Sequence, residues 1–408
     1  MIMIIIINEK DRWNLMAKYF FSSSFLLFLG NWIGQVGLNW FVLTTYHNAL
    51  YLGLVNFCRL IPILLLSVWA GSIADKYDKG LLLRITITSS FIITALLCLL
   101  TYSLNTIPIF IILLYATFRG ILSAVETPVR QAVLPDLSSK ISTTQAVSFH
   151  SFIINICRSI GPAIAGGLIA VYHTPTTFLA QAVCYFIAAV LCIPIHFEVI
   201  LSQKEGKALP LKVVLNYFKS NLEGSQIFIT SIIIMATGFS YTTVLPVLTN
   251  HIFPGQSQVF GIAMTFCAIG GIVATIVLPS ILKHLSTVKM YYLSSILFGI
   301  ALLGIIIHHL VVMFICITLI GLFSQWARTT NRVYFQHSVK DCDRGKVLSI
   351  IMMDRGMIPL GSLIMSFFAD MFGILTTFTI MGISTISISL IFYIIQRISN
   401  MEESNNES

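Results

Sequence analysis

Charge is scarce in this chain of 408 residues: Asp, Glu, Lys and Arg make up only 10% of it, against 57% hydrophobic residues. Ordinary soluble domains carry about a quarter charged residues. With a mean hydropathy of +0.90, the chain has more apolar surface than a soluble fold could bury, and a soluble fold is excluded. Other absences narrow the chemistry. The eight cysteines (58, 98, 157, 184, 192, 267, 316 and 342) form no C-x-x-C pair. All but Cys342 lie in apolar stretches, so they argue for packing and for neither a disulfide framework nor a metal site. No Walker A motif is present, and with it goes an ATPase within the chain. No H-E-x-x-H or G-x-S-x-G occurs, which argues against a polytopic membrane enzyme and leaves no cofactor to predict. The N-terminal "MIMIIIINEKDRW" places its charges after a short apolar run, unlike a cleavable signal peptide, so the first helix is expected to stay as an anchor.

What the chain does have is length without polarity. Runs of about 20 mostly apolar residues, enough to cross a hydrocarbon layer of roughly 30 Å, recur throughout. Twelve are predicted as helices, at 15 to 45, 50 to 74, 82 to 103, 107 to 131, 145 to 171, 176 to 197, 226 to 249, 257 to 282, 288 to 308, 310 to 331, 346 to 371 and 374 to 396. Barrel strands would alternate over about ten residues, and these runs are continuous and longer. The fold class is therefore an all-α polytopic membrane protein.

Of the 24 basic residues, 19 fall on one set of alternating loops, on the termini or on the few span residues that border them, and the remaining five are arginines inside spans. That asymmetry places both termini in the cytoplasm and explains the net charge of +8 as a topology signal, with no nucleic acid implied. The five inside the spans are Arg59, Arg119, Arg158, Arg328 and Arg355. An arginine near the bilayer centre costs about 2.5 kcal/mol or more unless it faces protein, water or a partner. Arg328 lies near a helix end and can snorkel. Arg119 and Arg158 are about a dozen residues from either end of their spans, and two readings stand for them: they line a polar cavity, or they are paired internally.

The chain also looks duplicated. "ETPVRQAVLPDL" after the fourth span has a counterpart in "RTTNRVYFQHSV" after the tenth, setting Arg130 opposite Arg332. "RSIGPAIAG" likewise aligns with "RGMIPLGSL", pairing Arg158 with Arg355 and Pro162 with Pro359. Two pseudo-symmetric six-helix bundles, 1–197 and 226–408, joined by the polar segment 198–225, make a transporter that holds its substrate near the midplane.

Between the second and third spans, "GSIADKYDKGLLLR" concentrates five charged side chains. It resembles the signature G-x-x-x-D-[RK]-x-G-[RK]-[RK] of the major facilitator superfamily through Gly71, Asp75, Lys76 and Lys79. Asp78 and Gly80 depart from it, standing where the pattern has Gly and a second basic residue. "CRLIP", "PVRQAVLPDL", "NICRSIGPAIAGG", "VLPVL" and "RGKV" are similar to the branch of that family containing the enterobactin exporter and the macrolide efflux proteins, across nearly the whole chain. The resemblance implies that Gly71, Asp75, Lys76 and Lys79 form a conformational latch at the inner face. "SIGPAIAGG" resembles the exporters' G-P-x-x-G-G, with Ala165 at one glycine position; Gly161, Pro162, Gly166 and Gly167 would let helices approach closely.

The resemblance further implies a secondary carrier in the bacterial inner membrane, monomeric, surrounded by lipid, with a small-molecule substrate and room for an outer-membrane export system as a partner. Proton antiport needs a titratable group in the pathway, and Glu126, Asp354 and Asp370 are the only acids within spans. Arginine forks suit carboxylates and aromatic faces suit rings, so Arg119, Arg158, Arg59, Arg355, Trp32, Gln35, Tyr241 and Trp326 are the candidate contacts for an anionic, partly aromatic or polycarboxylate metabolite. Siderophore export leads among named examples, with macrolide or multidrug efflux as the alternative.

Overall fold

Lipid offers no hydrogen bonds to backbone N–H and C=O groups, so each apolar run must satisfy its own as a helix. The computed structural model describes residues 9–104, 106–135, 137, 143–195, 211–339, 351, 354 and 356–406, with backbone alone over 9–14, 67–76, 143–144, 211–215 and 399–406, and every regular element among them is helical. In chain order these are α1 (Glu9–Tyr46), α2 (Ala49–Lys76), α3 (Lys79–Ser103), α4 (Ile109–Val133), α5 (Thr143–Tyr172) and α6 (Pro175–Cys192). There follow α7 (Leu211–Ser220), α8 (Leu222–Thr237), α9 (Tyr241–Ile252), α10 (Ser257–Ile281), α11 (Thr287–Gly304), α12 (Leu310–Ser338), α13 (Met357–Phe372) and α14 (Ile374–Asn406).

Eleven helical stretches are long and apolar enough to cross a membrane, with Leu222–Ile252 counted as one, and Met357–Phe372 is a shorter twelfth. Two local differences from the sequence reading appear. The span expected at 226 to 249 is interrupted: Phe239 N bonds back to Ile234 O at 3.1 Å, five residues away, and this wide turn separates α8 from α9. The polar segment 198–225 contains a helix, α7, whose Tyr217 and Phe218 pack on Phe335 and Phe228.

Helix starts follow local chemistry. Asp78, which departs from the family signature, is the N-cap of α3: its carboxylate accepts the amides of Gly80 and Leu81 at 2.9 and 3.2 Å. Asn221 caps α8 through Gly224 N at 2.7 Å.

The chain forms two compact units, Met1–Thr45 with Cys58–Gly206, and Tyr46–Phe57 with Lys207–Ser408. In the first, Phe20, Leu83, Ile87, Val129, Val133, Tyr185 and Cys192 form the core. Gly34 and Gly37 of α1 let α6 come close: a Cβ on either would overlap Gln181 or Thr177 of α6, at 1.9 Å in each case. The second unit centres on Ile227, Tyr291, Tyr292, Ala327 and Phe335. There Gly270 and Gly321 put the backbones of α10 and α12 in direct contact, as each would drive a Cβ into a carbonyl of the other helix. Large apolar side chains such as Phe110 and Ile276 remain about seven-tenths exposed, at 68% and 71%, as surfaces facing lipid must be.

Candidate functional site

On α4, Arg119, Ser123, Glu126 and Arg130 follow at i, i+4, i+7 and i+11, the spacing of one helix face. All the charge on that face is internal to the first unit. Arg119 is 4% exposed; its Nε and Nη2 donate to Tyr185 Oη at 3.1 and 2.7 Å, and its Nη1 donates to Ser123 Oγ at 3.0 Å. Glu126 lies between two arginines, 3.0 Å from Arg130 Nε and 3.8 Å from Arg119 Nη1. Arg130 also donates to Ser24 Oγ on α1 at 2.7 Å, and its guanidinium stands over the rings of Phe20 and Phe28. Gln181 Nε2 donates to Tyr185 Oη at 2.9 Å, and Tyr115 extends the group toward Thr94. Arg59 brings another positive charge beside Arg119, Tyr115 and Tyr185.

Arg158 differs in kind. It is half-buried on α5, and no hydrogen bond or ion pair reaches it from the described residues. Ser148, Ser151 and Asn155 precede it at intervals of three, four and three, so the four share a face, and the first three are exposed. Ser151 Oγ donates to Val147 O and Asn155 Nδ2 to Ser151 O, each at 2.9 Å within the helix, so Arg158 is the member of this face that requires water or a polar ligand opposite it. Alongside lies a groove of about 1130 Å³ between α1 and α5, lined by Phe21, Phe25, Phe149 and Phe152 with Lys18 at its rim.

The other candidates are distributed more widely. Trp32 packs on Gly161, where a Cβ would stand 2.6 Å from the Trp32 Cβ, so these two mark the crossing of α1 and α5. Pro162 lies inside α5 and is buried beside it. Gly166 is buried, whereas Gly167 has open space within 4 Å and contributes no close approach. Gln35 is half-buried on α1. Tyr241 is 2% exposed and its hydroxyl meets Cys267 Sγ at 3.0 Å, while Trp326 Nε1 donates to Ala274 O at 2.8 Å. Both direct their polar atoms into the second unit. Lys79 donates to Ala132 O at 3.1 Å; the side chains of Gly71, Asp75 and Lys76, and all of Arg355, lie outside the described residues.

Two acids remain, both in the second unit. Asp370 of α13 accepts Ala49 N at 2.9 Å and Leu50 N at 3.2 Å, so its two oxygens close the start of α2. Asp354, 7% exposed, accepts Ser231 Oγ at 2.7 Å and lies in the field of Arg332 and Arg328. Arg328 in turn donates to Gln325 and covers the ring of Phe239 at 4.9 Å. A cavity of about 10 Å³ opens among Met235, Arg328, Asn331, Arg332, Ile351 and Asp354. Among the described residues no group of three or more His, Cys, Asp or Glu could hold a metal.

Tyr185, Gln181, Ser231 and Asn331 are participants that the sequence reading did not single out. A signal existed for two of them: Thr177, Gln181 and Tyr185 repeat every four residues in α6, a polar stripe in an otherwise apolar helix.

Comparison with known proteins agrees with this architecture. The model of the transmembrane secretion effector family matches residues 16–408. The Staphyloferrin A transporter of Staphylococcus aureus (strain NCTC 8325 / PS 47) is 75% identical over 394 residues, 96% of this chain and 99% of that one. Macrolide efflux protein A of Streptococcus pyogenes is 19% identical over 407 residues, covering 97% and 99%. Among solved structures, the nucleoside transporter NupG superposes with a TM-score of 0.71 at 16% identity, over 93% of this chain and 98% of that one. An inward-facing, unoccupied bacterial homologue of the lysosomal transporter Spinster gives 0.71 at 12%, over 95% and 96%.

Proposed function

Because the chain belongs to the transmembrane secretion effector family of the major facilitator superfamily, we propose that it exports an anionic siderophore of the staphyloferrin A kind, driven by protons moving the other way. As a multi-pass membrane transporter it acts on a small molecule and performs no covalent chemistry. In this reading the halves 1–197 and 226–408 alternate access about the segment 198–225, as a monomer in the cell's inner membrane with both termini in the cytoplasm. An outer-membrane export system is a partner this reading leaves room for.

Arg158 is the observation that carries the substrate class. Arg119 has acceptors for its nitrogens within its own unit, whereas Arg158 has none among the described residues and stands at the end of an exposed polar face. A guanidinium at that depth stays because something anionic or aqueous meets it. Its planar fork matches a carboxylate, and Asn155, one turn away on the same face, adds a neutral hydrogen-bonding group.

The test is export of staphyloferrin A and of a neutral macrolide by vesicles of matched protein content. Arg158→Ala is expected to lose siderophore export by roughly ten- to a hundredfold, the worth of one or two charge-assisted hydrogen bonds. Arg158→Lys is expected to be impaired as well, since a point charge cannot replace the fork. Wild-type siderophore export by Arg158→Ala would remove the assignment. Macrolide efflux has its own support in the aromatic groove of about 1130 Å³ between α1 and α5, whose volume and apolar walls suit a large neutral ligand. Macrolide export without siderophore export would establish that second reading.

A further inference from the structure

The three acids within the spans are held in three different ways. Glu126 is clasped by Arg119 and Arg130, which also bond to Ser123 and Ser24, with Arg130 Nη2 left without a hydrogen-bond partner among the described residues. Asp370 has both oxygens on the first amides of α2. Asp354 has one strong partner, Ser231, and beside it a cavity of about 10 Å³. That is the space taken by the centre of a single water molecule, which needs roughly 10–15 Å³ and two to four polar partners. The partners are present. Asn331, 2% exposed, has a side-chain oxygen with no donor among the described residues, and it lines the same cavity as Asp354, Arg332 and Arg328.

We infer that this cavity holds one water that bridges Asn331 Oδ1 and the Asp354 carboxylate, and that Asp354 is the group that takes up and releases the transported proton. The inference rests on the proton-coupled reading of transport. The water donates to the orphaned oxygen of Asn331 and to Asp354, and accepts from Arg332. In the uptake step a hydronium ion arrives from the aqueous side. The hydronium passes its proton to the cavity water and stays outside as water; the cavity water passes one of its own protons to the carboxylate, so an O–H bond forms on Asp354, one breaks on the hydronium, and a single water remains in the cavity. Release to the opposite side reverses the step, and no oxidant or cofactor takes part.

Among the described residues, the groups that set the balance come from α8, α11 and α12. Ser231 on α8 donates to the ionised acid, Arg328 and Arg332 on α12 favour its charge, and the Tyr291 ring on α11 faces it as a neutral group. Protonation of Asp354 removes the negative charge that these arginines compensate. The two guanidinium charges are then left opposed, and that opposition can drive a change of conformation. By this route one proton can be felt outside the cavity.

The test needs no substrate. Infrared difference spectra of the purified full-length protein, acid minus alkaline, should show the C=O stretch of a carboxylic acid appearing in the wild type and lost in Asp354→Asn. Asn331→Leu fills the cavity and removes the water. Dehydration favours the neutral acid, so the pH at which the band is half-developed should rise. Absence of the band in the wild type, its persistence in Asp354→Asn, or an unmoved midpoint in folded Asn331→Leu would overturn the inference.

A second measurement separates this idea from the identity of the cargo. In proteoliposomes, Asp354→Asn should lose transport of staphyloferrin A driven by a pH gradient while keeping exchange of the siderophore across a membrane without a gradient. Retained gradient-driven transport would refute the proton role. Loss of exchange in the wild type would refute the cargo and leave the infrared result standing.

Discussion

The two units each bury a carboxylate among arginines, and they do it differently. Around Glu126 the arginines divide their nitrogens among Tyr185, Ser123, Ser24 and the carboxylate, and two aromatic rings cover the guanidinium of Arg130. Around Asp354 the packing stops short, leaving a void of about 10 Å³ and an amide oxygen without a donor. Among the described residues Arg130 Nη2 also lacks a partner, but Glu126 is held by two cations, and altering a member of so densely bonded a network strands the others in a medium of low dielectric. The Asp354 site, with one strong partner and a void beside it, can exchange a proton or a water at less cost. The aligned segments set Glu126 opposite Arg328 and Arg130 opposite Arg332, so each half carries an arginine on its fourth membrane-spanning helix, α4 and α12, but the acid comes from that same helix in the first unit and from the segment before α13 in the second. The aligned segments keep one arginine and reverse the other charge, which fits a brace in the first unit and the proposed titrating site in the second.

If the first cluster is a brace, its members should fail by unfolding. Arg130→Ala removes the partner of Glu126 and leaves a buried carboxylate with only Arg119 at 3.8 Å. The expected loss is about 3–5 kcal/mol, the usual cost of breaking a buried pair by deleting one partner. It should register as a large fall in folded protein in the membrane and in thermal midpoint in detergent. Wild-type stability would show that the cluster is ornamental and would erase the contrast between the units.

Tyr185→Phe probes the same cluster more gently. The phenolic oxygen accepts two bonds from Arg119 and one from Gln181, so its removal strands buried donors without leaving a charge unpaired from Glu126. Roughly 1–3 kcal/mol is expected. The distinguishing result is a drop in thermal midpoint with transport per folded molecule unchanged. Transport lost at full stability would instead make Tyr185 part of the substrate path.

The contrast between these clusters was only partly legible in the sequence. Span number and helical class follow from run length and from the need of backbone groups in lipid to bond within a helix, and these the chain shows plainly. The interruption between α8 and α9 was hidden because Gly238 and Ser240 are ordinary in an apolar run, and only the bond from Phe239 N to Ile234 O reveals the turn. Arg119 and Arg158 looked alike because sequence gives depth along the helix axis. What separates them is the side of the helix they occupy and what stands opposite. Helix spacing already put Arg119 in line with Ser123, Glu126 and Arg130, and Arg158 in line with Ser151 and Asn155. The partner Tyr185, 66 residues away, and the void beside Asp354 are products of tertiary packing, and no pattern along the chain encodes them.

The smallest effect should belong to the second cluster. Asn331→Leu exchanges a buried amide, whose oxygen has no donor among the described residues, for a bulkier branched side chain that needs no partner and can take up the void. Losing a bridging water costs its hydrogen bonds but returns its ordering entropy, and filling the void recovers dispersion contacts, so these terms largely cancel. The net change in stability is expected to stay within about 1 kcal/mol and can take either sign. This is well below the loss from Arg130→Ala, whose residue stands one position further along in the aligned repeat. Paired melting curves of the two variants in one detergent give the comparison directly. A fall for Asn331→Leu as deep as that for Arg130→Ala would mean that Asn331 is knitted into its unit as firmly as Arg130 is into the other. The void would then be a packing detail, and the division into a brace and a titrating site would not stand.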